Sequence, residues 1–144
     1  MHSTSIRTNR RGFSLPELMV VIVIIGLLAG VVTVSVRSYL VKSKQNVAKL
    51  EISKMQQALE SFYLELDRYP TNEEGIEILA KESDAFPAAL LSKLPKDPWG
   101  NAYEYLTPGS NDAPYEIICY GADNREGGTG AEKDISSADV ETEE

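Results

Sequence analysis

Residues 13–36 read FSLPELMVVIVIIGLLAGVVTVSV, and this apolar stretch organises the rest of the chain. No polar side chain occurs from Leu18 to Val32, whereas one carboxylate, Glu17, lies near the start of the stretch. A helix of this length, rising ~1.5 Å per residue, extends ~36 Å and crosses the ~30 Å hydrocarbon core of a bilayer. We therefore expect residues 13–36 to span a membrane.

Two other interpretations of this stretch are weaker. A cleaved secretory signal requires a short apolar region followed by a small-x-small site, and Ala29-Gly30-Val31 matches that site poorly. A buried helix requires a large core around it, and the remainder of the 144 residues is not hydrophobic enough to supply one.

The residues before this stretch are polar and basic. Arg7, Arg10 and Arg11 lie in residues 1–12, and no acid precedes Glu17. Positive charge is retained on the cytoplasmic side of a membrane, so the C-terminal part of the protein is expected on the other side.

Composition excludes several functions. The formal charge of −8 argues against a nucleic-acid partner. Cys119 is the only cysteine, so neither an intrachain disulfide nor a multi-cysteine zinc site can form. His2 is the only histidine, which leaves no Ser-His-Asp triad or histidine-ligated metal beyond the basic head. The acids are scattered over polar segments, which is typical of solvated surface, and no enzyme is expected.

A single long helix is predicted from about Pro16 to Leu66. No proline or glycine occurs between Val31 and Asp67, and apolar residues after position 50 recur at helical spacing: Ile52, Met55, Leu59, Phe62 and Leu66. Half of this helix would lie in the membrane and half on a soluble domain. Pro70 ends it, because proline disfavours helical geometry at the preceding residue.

The remaining segments predict a small α+β domain. Thr71 and Glu74 have capping-box spacing, which predicts a second helix over residues 72–81. Residues 83–92 are expected to form a loop with helical turns. Strands at residues 102–106 and 115–120, joined by a proline- and glycine-containing loop, predict an antiparallel hairpin, and residues 136–144 predict a disordered acidic tail.

The segment from Arg10 to Glu17, with the apolar run after it, closely resembles the class III signal of type IV prepilins and pseudopilins. The resemblance implies that a membrane-embedded prepilin peptidase cuts after Gly12 and methylates the new amino terminus at Phe13. Such a cut removes the leader, residues 1–12, but leaves the apolar helix attached. The product would be a membrane-anchored subunit.

Glu17 becomes the fifth residue after that cut. A carboxylate in the apolar zone is unfavourable and usually has a partner. The resemblance implies that this partner is the terminal ammonium of Phe13 in a neighbouring subunit; the alternative is a carboxylate at the headgroups with no role in assembly. Gly26 and Gly30 form a small-xxx-small pattern, which suggests either close helix approach or a stretch that extends in a fibre.

Further motifs resemble the major pseudopilin family of type II secretion systems. They occur in the family's order between residues 11 and 135, as Arg68-Tyr69-Pro70-Thr71, Glu74-Gly75, Leu94-Pro95-Lys96-Asp97-Pro98-Trp99-Gly100, Tyr120-Gly121-Ala122-Asp123, Gly127-Gly128-Thr129-Gly130 and Asp134-Ile135. The resemblance implies an α+β, type IV pilin-like fold with the long helix packed on a small antiparallel sheet. Residues 13–36 would form the transmembrane and fibre-core half of that helix, and residues 37–135 the periplasmic domain.

The resemblance also implies a function. The chain would sit in the inner membrane as a single-pass protein, then polymerise with itself into a short periplasmic fibre that drives export of folded proteins. Minor pseudopilins, an inner-membrane assembly platform and prepilin peptidase would be its partners. The other candidates are a major pilin of a surface type IV pilus and, less favoured, a membrane-anchored periplasmic binding protein.

The glycine-rich loop from Gly121 to Ile135 carries acids and suits Ca²⁺, which takes ~6–8 oxygen ligands. Composition alone favours a solvated acidic loop over a calcium site. The resemblance implies calcium held by the side chains of Asp123 and Asp134 and the backbone oxygen of Tyr120. One departure is Lys133, where some family members carry an acid, so water, Glu126 or Glu132 would complete the ligand set.

Overall fold

The computed structural model describes residues 12–141, apart from the side chains of residues 32–35 and 141. Most of the predicted leader and the last three residues of the predicted tail lie outside this range. The chain divides into two compact units, Met1–Ser38 and Tyr39–Glu144.

One helix, α1, covers Leu15–Leu66, a length of 52 residues, which confirms the prediction of a single long helix. It ends because Asp67 adopts a left-handed backbone with φ 52°, and the Asp67 N–H still bonds the Tyr63 carbonyl at 2.7 Å. In the first unit, the described apolar side chains of α1 are exposed. Among the described residues, α1 is the one helix long and apolar enough to cross a membrane, by length and composition.

The second unit contains a three-stranded antiparallel sheet. Its strands are β1 Glu104–Leu106, β2 Glu116–Cys119 and β3 Ile135–Ser136, with β2 in the centre. Tyr105 pairs with Ile117, and Cys119 pairs with Ile135. The predicted hairpin is therefore confirmed, although β3 was not predicted.

The core lies between α1 and this sheet. The predicted helix face is buried, together with side chains from the rest of the second unit: Ala48, Ile52, Met55, Ala58, Leu59, Phe62, Ile76, Leu79, Tyr103, Tyr115, Ile117, Cys119 and Ile135. Leu66 is the exception, since it is 36% exposed in the last turn of α1. The buried face thus ends at Phe62.

The second predicted helix is wrong in length and type. The capping box does form, because Thr71 N–H donates to Glu74 Oε2 at 2.9 Å and Glu74 N–H donates to Thr71 Oγ1 at 3.2 Å. The next residue, Gly75, has φ 64° and ψ 175°, which stops helical propagation. A five-residue 3₁₀ helix, Ile76–Ala80, follows instead. The predicted loop at residues 83–92 is confirmed as a loop, but it has bends and no helical turn.

The predicted tail is also partly wrong. Ser136 lies in β3, and a short helix, α2, covers Ser137–Glu141. Ser137 is buried, and its hydroxyl accepts a hydrogen bond from Ile117 N–H at 3.1 Å, while the Ser136 hydroxyl donates to Glu116 at 2.7 Å. Serine hydroxyls hold this polar segment on the sheet, where a hydrophobicity pattern gives no signal.

Candidate functional site

The first turn of α1 is closed by a second capping box. Ser14 is the cap residue, and Glu17 Oε2 accepts hydrogen bonds from the Ser14 N–H at 2.8 Å and the Ser14 hydroxyl at 2.9 Å. The Glu17 N–H donates to Ser14 Oγ at 3.4 Å. Ser14 was not predicted as a cap residue, although the Ser-x-x-Glu spacing at residues 14–17 is the sequence signal for one.

This geometry occupies one carboxylate oxygen of Glu17 and leaves the other available. Glu17 Oε1 accepts no hydrogen bond from any residue that the structure describes. Phe13 is 81% exposed, and Gly12 is exposed beside it. The Gly12–Phe13 peptide bond and the free oxygen of Glu17 are therefore both accessible at the start of α1.

Gly26 and Gly30 lie on the open surface of α1. A Cβ atom built at either glycine meets nothing within 4 Å outside the backbone of the helix itself. Both glycines are helical in this single chain, as is the rest of residues 15–66. The helix surface at these two glycines has no side chain, so another helix can approach closely there.

The loop predicted to bind calcium is shaped by glycine and by backbone hydrogen bonds. Gly121 is buried with φ 65°, and a Cβ there would lie 2.8 Å from the Ala131 carbonyl oxygen. Ala122 N–H donates to that same carbonyl at 2.9 Å. Gly127 N–H donates to Asp134 Oδ2 at 2.7 Å. The loop is therefore held together by a hydrogen bond between its backbone and one of its own carboxylates.

The predicted ligands differ in environment. Asp134 Oδ1 is buried, and no residue in the described part of the chain donates a hydrogen bond to it. Asp123 is exposed, and its Oδ1 accepts a bond from Arg125 N–H at 3.3 Å. Within residues 12–141 no three His, Cys, Asp or Glu side chains group closely enough to hold a metal ion.

The charges of two loop acids act on Tyr120. A hydrogen bond to Glu104, partial burial and the charges of Glu104, Glu126 and Asp134 together raise the pKa of Tyr120 to about 12. The buried, unpaired oxygen of Asp134 fits a cation, because a buried acceptor without a donor is unfavourable. Backbone carbonyls or water would have to supply most of the remaining ligands.

A buried carboxylate that sequence analysis did not single out, Asp97, organises the neighbouring corner. It is 4% exposed, and Oδ1 accepts hydrogen bonds from Trp99 N–H at 3.0 Å and Asn101 N–H at 2.7 Å. Its Oδ2 accepts the Cys119 thiol at 3.4 Å. Burial, opposed by a backbone hydrogen bond at Gly121 and reinforced by the Asp97 charge, raises the pKa of Cys119 to about 11. The thiol is thus buried and protonated at neutral pH, which suits a structural role.

Two family models match the chain. The family described as "Type II secretion system (T2SS), protein G" matches residues 35–138. The "Prokaryotic N-terminal methylation motif" matches residues 7–33. Together they cover both the start of α1 and the sheet-containing domain.

Relatives and a solved structure agree with these matches. The chain is 39% identical over 140 residues to type II secretion system core protein G of Pseudomonas aeruginosa, covering 92% of this chain and 98% of that protein. The same protein of Vibrio cholerae is 37% identical, with 92% and 94% covered. The crystal structure of the major pseudopilin from the type 2 secretion system of enterohaemorrhagic Escherichia coli superimposes with a TM-score of 0.55 at 25% identity, over 67% of this chain and 87% of that one.

Proposed function

The chain belongs to the type II secretion system protein G family, and on this premise we propose that it is the major structural subunit of a secretion pseudopilus. The observation that carries the proposal is α1, which joins an exposed apolar half to a half packed in the domain core. A helix of this kind needs a membrane or other helices around its exposed half. The function is mechanical, and we assign no catalytic residue.

In this proposal the inner membrane holds the chain before assembly. Residues 13–36 span the bilayer once, with the arginine-rich head on the cytoplasmic side and the domain in the periplasm. The match to the N-terminal methylation motif supports cleavage after Gly12 and methylation at Phe13 by prepilin peptidase. Exposure of the Gly12–Phe13 bond supports access for that peptidase.

Assembly into a helical homopolymer then brings the apolar helices of neighbouring copies together. The free Oε1 of Glu17 would accept the terminal ammonium of Phe13 from the next copy, while Oε2 remains on Ser14. Pairing with an opposite charge lowers the free-energy cost of a carboxylate among apolar side chains. Minor pseudopilins and the inner-membrane platform are the other partners that this role requires.

Calcium is the remaining part of the proposal. Asp134, Asp123 and the Tyr120 backbone oxygen would hold the ion, and water, Glu126 or Glu132 would complete the ligand set at the position of Lys133. Bound calcium would neutralise the loop acids and supply the partner that Asp134 Oδ1 lacks. The ion would therefore order the loop and take no part in chemistry.

Secretion tests the function directly. In the organism that carries this chain, deleting the gene should leave folded exoproteins in the periplasm, and the wild-type gene should restore their release. A variant with Gly12→Arg, which blocks the peptidase site, is expected to accumulate in the membrane and fail to restore release. Normal secretion in the deletion strain, with no second copy of the gene present, would contradict the proposed role.

A further inference from the structure

A side chain of α1 contacts the loop predicted to bind calcium. Gln45 Nε2 donates a hydrogen bond to the Gly130 carbonyl at 2.7 Å, across 85 positions of sequence. Gly130 has φ 61° and begins the short 3₁₀ turn Gly130–Glu132. The next carbonyl, of Ala131, is the one that holds Ala122 at the opposite end of the loop. Gln45 thus binds the loop at the 3₁₀ turn Gly130–Glu132.

The preceding residue of α1 contacts the same region from another side. Lys44 Nζ lies 5.5 Å from the centre of the Trp99 ring, a distance typical of a cation–π contact. Trp99 is joined through Asp97 to Asn101, and the Asn101 amide donates to the Gly121 carbonyl at 3.2 Å. The contacts of Lys44 and Gln45 therefore lead to two places in the loop, Gly121 and Gly130.

We propose that Gln45 is a positioning residue for calcium, so that calcium binding and ordering of α1 around residues 44–48 strengthen each other. Gln45 does not ligate the ion; it favours the loop conformation in which Asp134 and Tyr120 face the same site. This inference rests on the calcium site proposed above. Coupling between two sites is reciprocal, so a contact that aids calcium binding must itself be stabilised by calcium.

The experiment compares full-length processed protein in detergent micelles with two glutamine variants. Gln45→Ala removes the contact with Gly130, whereas Gln57→Ala makes the same chemical change at an exposed position of the same helix. Loss of one partly exposed hydrogen bond is expected to raise the calcium Kd about two- to fivefold in Gln45→Ala. Isothermal titration with CaCl₂ measures this change, and Gln57→Ala should keep the wild-type Kd.

Hydrogen exchange followed by mass spectrometry tests the reciprocal effect. Chelation with EGTA should accelerate amide exchange in peptides covering residues 44–50 of the wild type, and should do so less in Gln45→Ala. Equal calcium affinity in wild type and Gln45→Ala would overturn the coupling while leaving the calcium site intact. Absence of any calcium binding by the wild type would overturn both the site and the coupling.

Discussion

In the proposed assembly, Glu17 has one role in the single chain and a second role in the fibre. In a single chain its Oε2 caps α1 through Ser14, which satisfies amide donors that the helix itself cannot satisfy. Its Oε1 would accept the intermolecular partner in the proposed fibre. A carboxylate at this position would therefore begin the helix and still carry a charge for the proposed assembly.

Replacing Glu17 by glutamine separates these two roles. Glutamine preserves a capping-box acceptor but removes the negative charge. We expect Glu17→Gln to insert in the membrane and to be cleaved at wild-type levels, yet to form at least tenfold fewer fibres in shearing and immunoblot assays. Ser14→Ala is the matched control, because it weakens the cap and keeps the charge; it should still assemble. Wild-type fibre yield in Glu17→Gln would reject the ammonium pairing.

The Arg68–Glu74 pair predicts a pH dependence of stability. Hydrogen bonds from the Arg68 guanidinium, followed by the Thr71 backbone hydrogen bond, lower the pKa of Glu74 from 4.5 to about 2. A lowered pKa in the folded state stabilises the protein above the ordinary pKa, and this stabilisation is lost as pH falls from 4.5 towards 2. Because Arg68 is 46% exposed and Glu74 30% exposed, the contribution is below about 1 kcal/mol.

Urea unfolding of wild type and Glu74→Gln at a series of pH values measures this contribution. The difference in unfolding free energy between the two proteins should be largest near pH 7 and should shrink between pH 4.5 and 2. Acids elsewhere titrate equally in both proteins and cancel in the difference. A difference that stays constant down to pH 2 would show that the pair does not lower the pKa of Glu74.

Among the secondary-structure elements, those with a long periodic pattern of apolar residues could be predicted from the sequence, and the short ones could not. The long helix and the core face from Ile52 to Phe62 were predicted because apolar spacing repeats over many turns. The strand β3 has two residues, too few for an alternating pattern, and its place depends on pairing with Ile118 and Cys119 and on the hydrogen bond from Ser136 to Glu116. The capping box at Thr71 was a correct signal, but Gly75 at φ 64° limited what followed to 3₁₀ geometry.

The calcium loop was predicted only in outline. Its acids and glycines are visible in the sequence, and the buried oxygen of Asp134 agrees with the proposed ligand role. The supporting contacts from Gln45, Asn101 and Asp97 could not be predicted, because they join residues far apart in sequence through single side chains. No local pattern encodes such contacts.

Gly121 allows the loop to close, and this can be tested against Gly100. Both have positive φ, 65° and 97°, so alanine is strained at each, but only at Gly121 would the added Cβ approach backbone atoms at 2.8 Å. We expect Gly100→Ala to lower the unfolding free energy by about 1 kcal/mol and Gly121→Ala by at least about 2–3 kcal/mol. Urea unfolding measures both, and equal losses would exclude the close approach as the cause.

Calcium should raise the melting temperature of the processed protein. At a hundredfold excess over Kd, an ion that binds only the folded state stabilises by about 2.7 kcal/mol, or roughly 5–10 °C for a chain of this size. The rise, measured by circular dichroism with CaCl₂ and with EGTA, should disappear in Asp134→Ala. Asp84→Ala, an exposed acid outside the loop, should keep it. Identical melting curves for the wild type in the two buffers would rule out the site.

For the whole molecule, the division after Ser38 separates a domain with a buried core from an exposed apolar half-helix. The buried core residues that the structure describes lie in the second unit, whereas the described apolar side chains of the first unit are exposed. Folding of the domain thus depends on contacts within it, and in the proposed function anchoring and polymerisation depend on residues 13–38. The chain would then pass from the membrane to the fibre without refolding its domain.

This division predicts the behaviour of a chain shortened to residues 39–144 and exported to the periplasm. It retains the α1 segment that carries Ala48 to Phe62, together with the whole sheet, so it should fold with a cooperative melting transition. It lacks the apolar half-helix and Glu17, so it should remain monomeric in analytical ultracentrifugation and fail to restore secretion. Residues 13–144, produced by normal processing, provide the control and should sediment with membranes and form fibres. Fibres formed by residues 39–144 would place the essential subunit contacts in the domain and contradict assembly through the apolar helix.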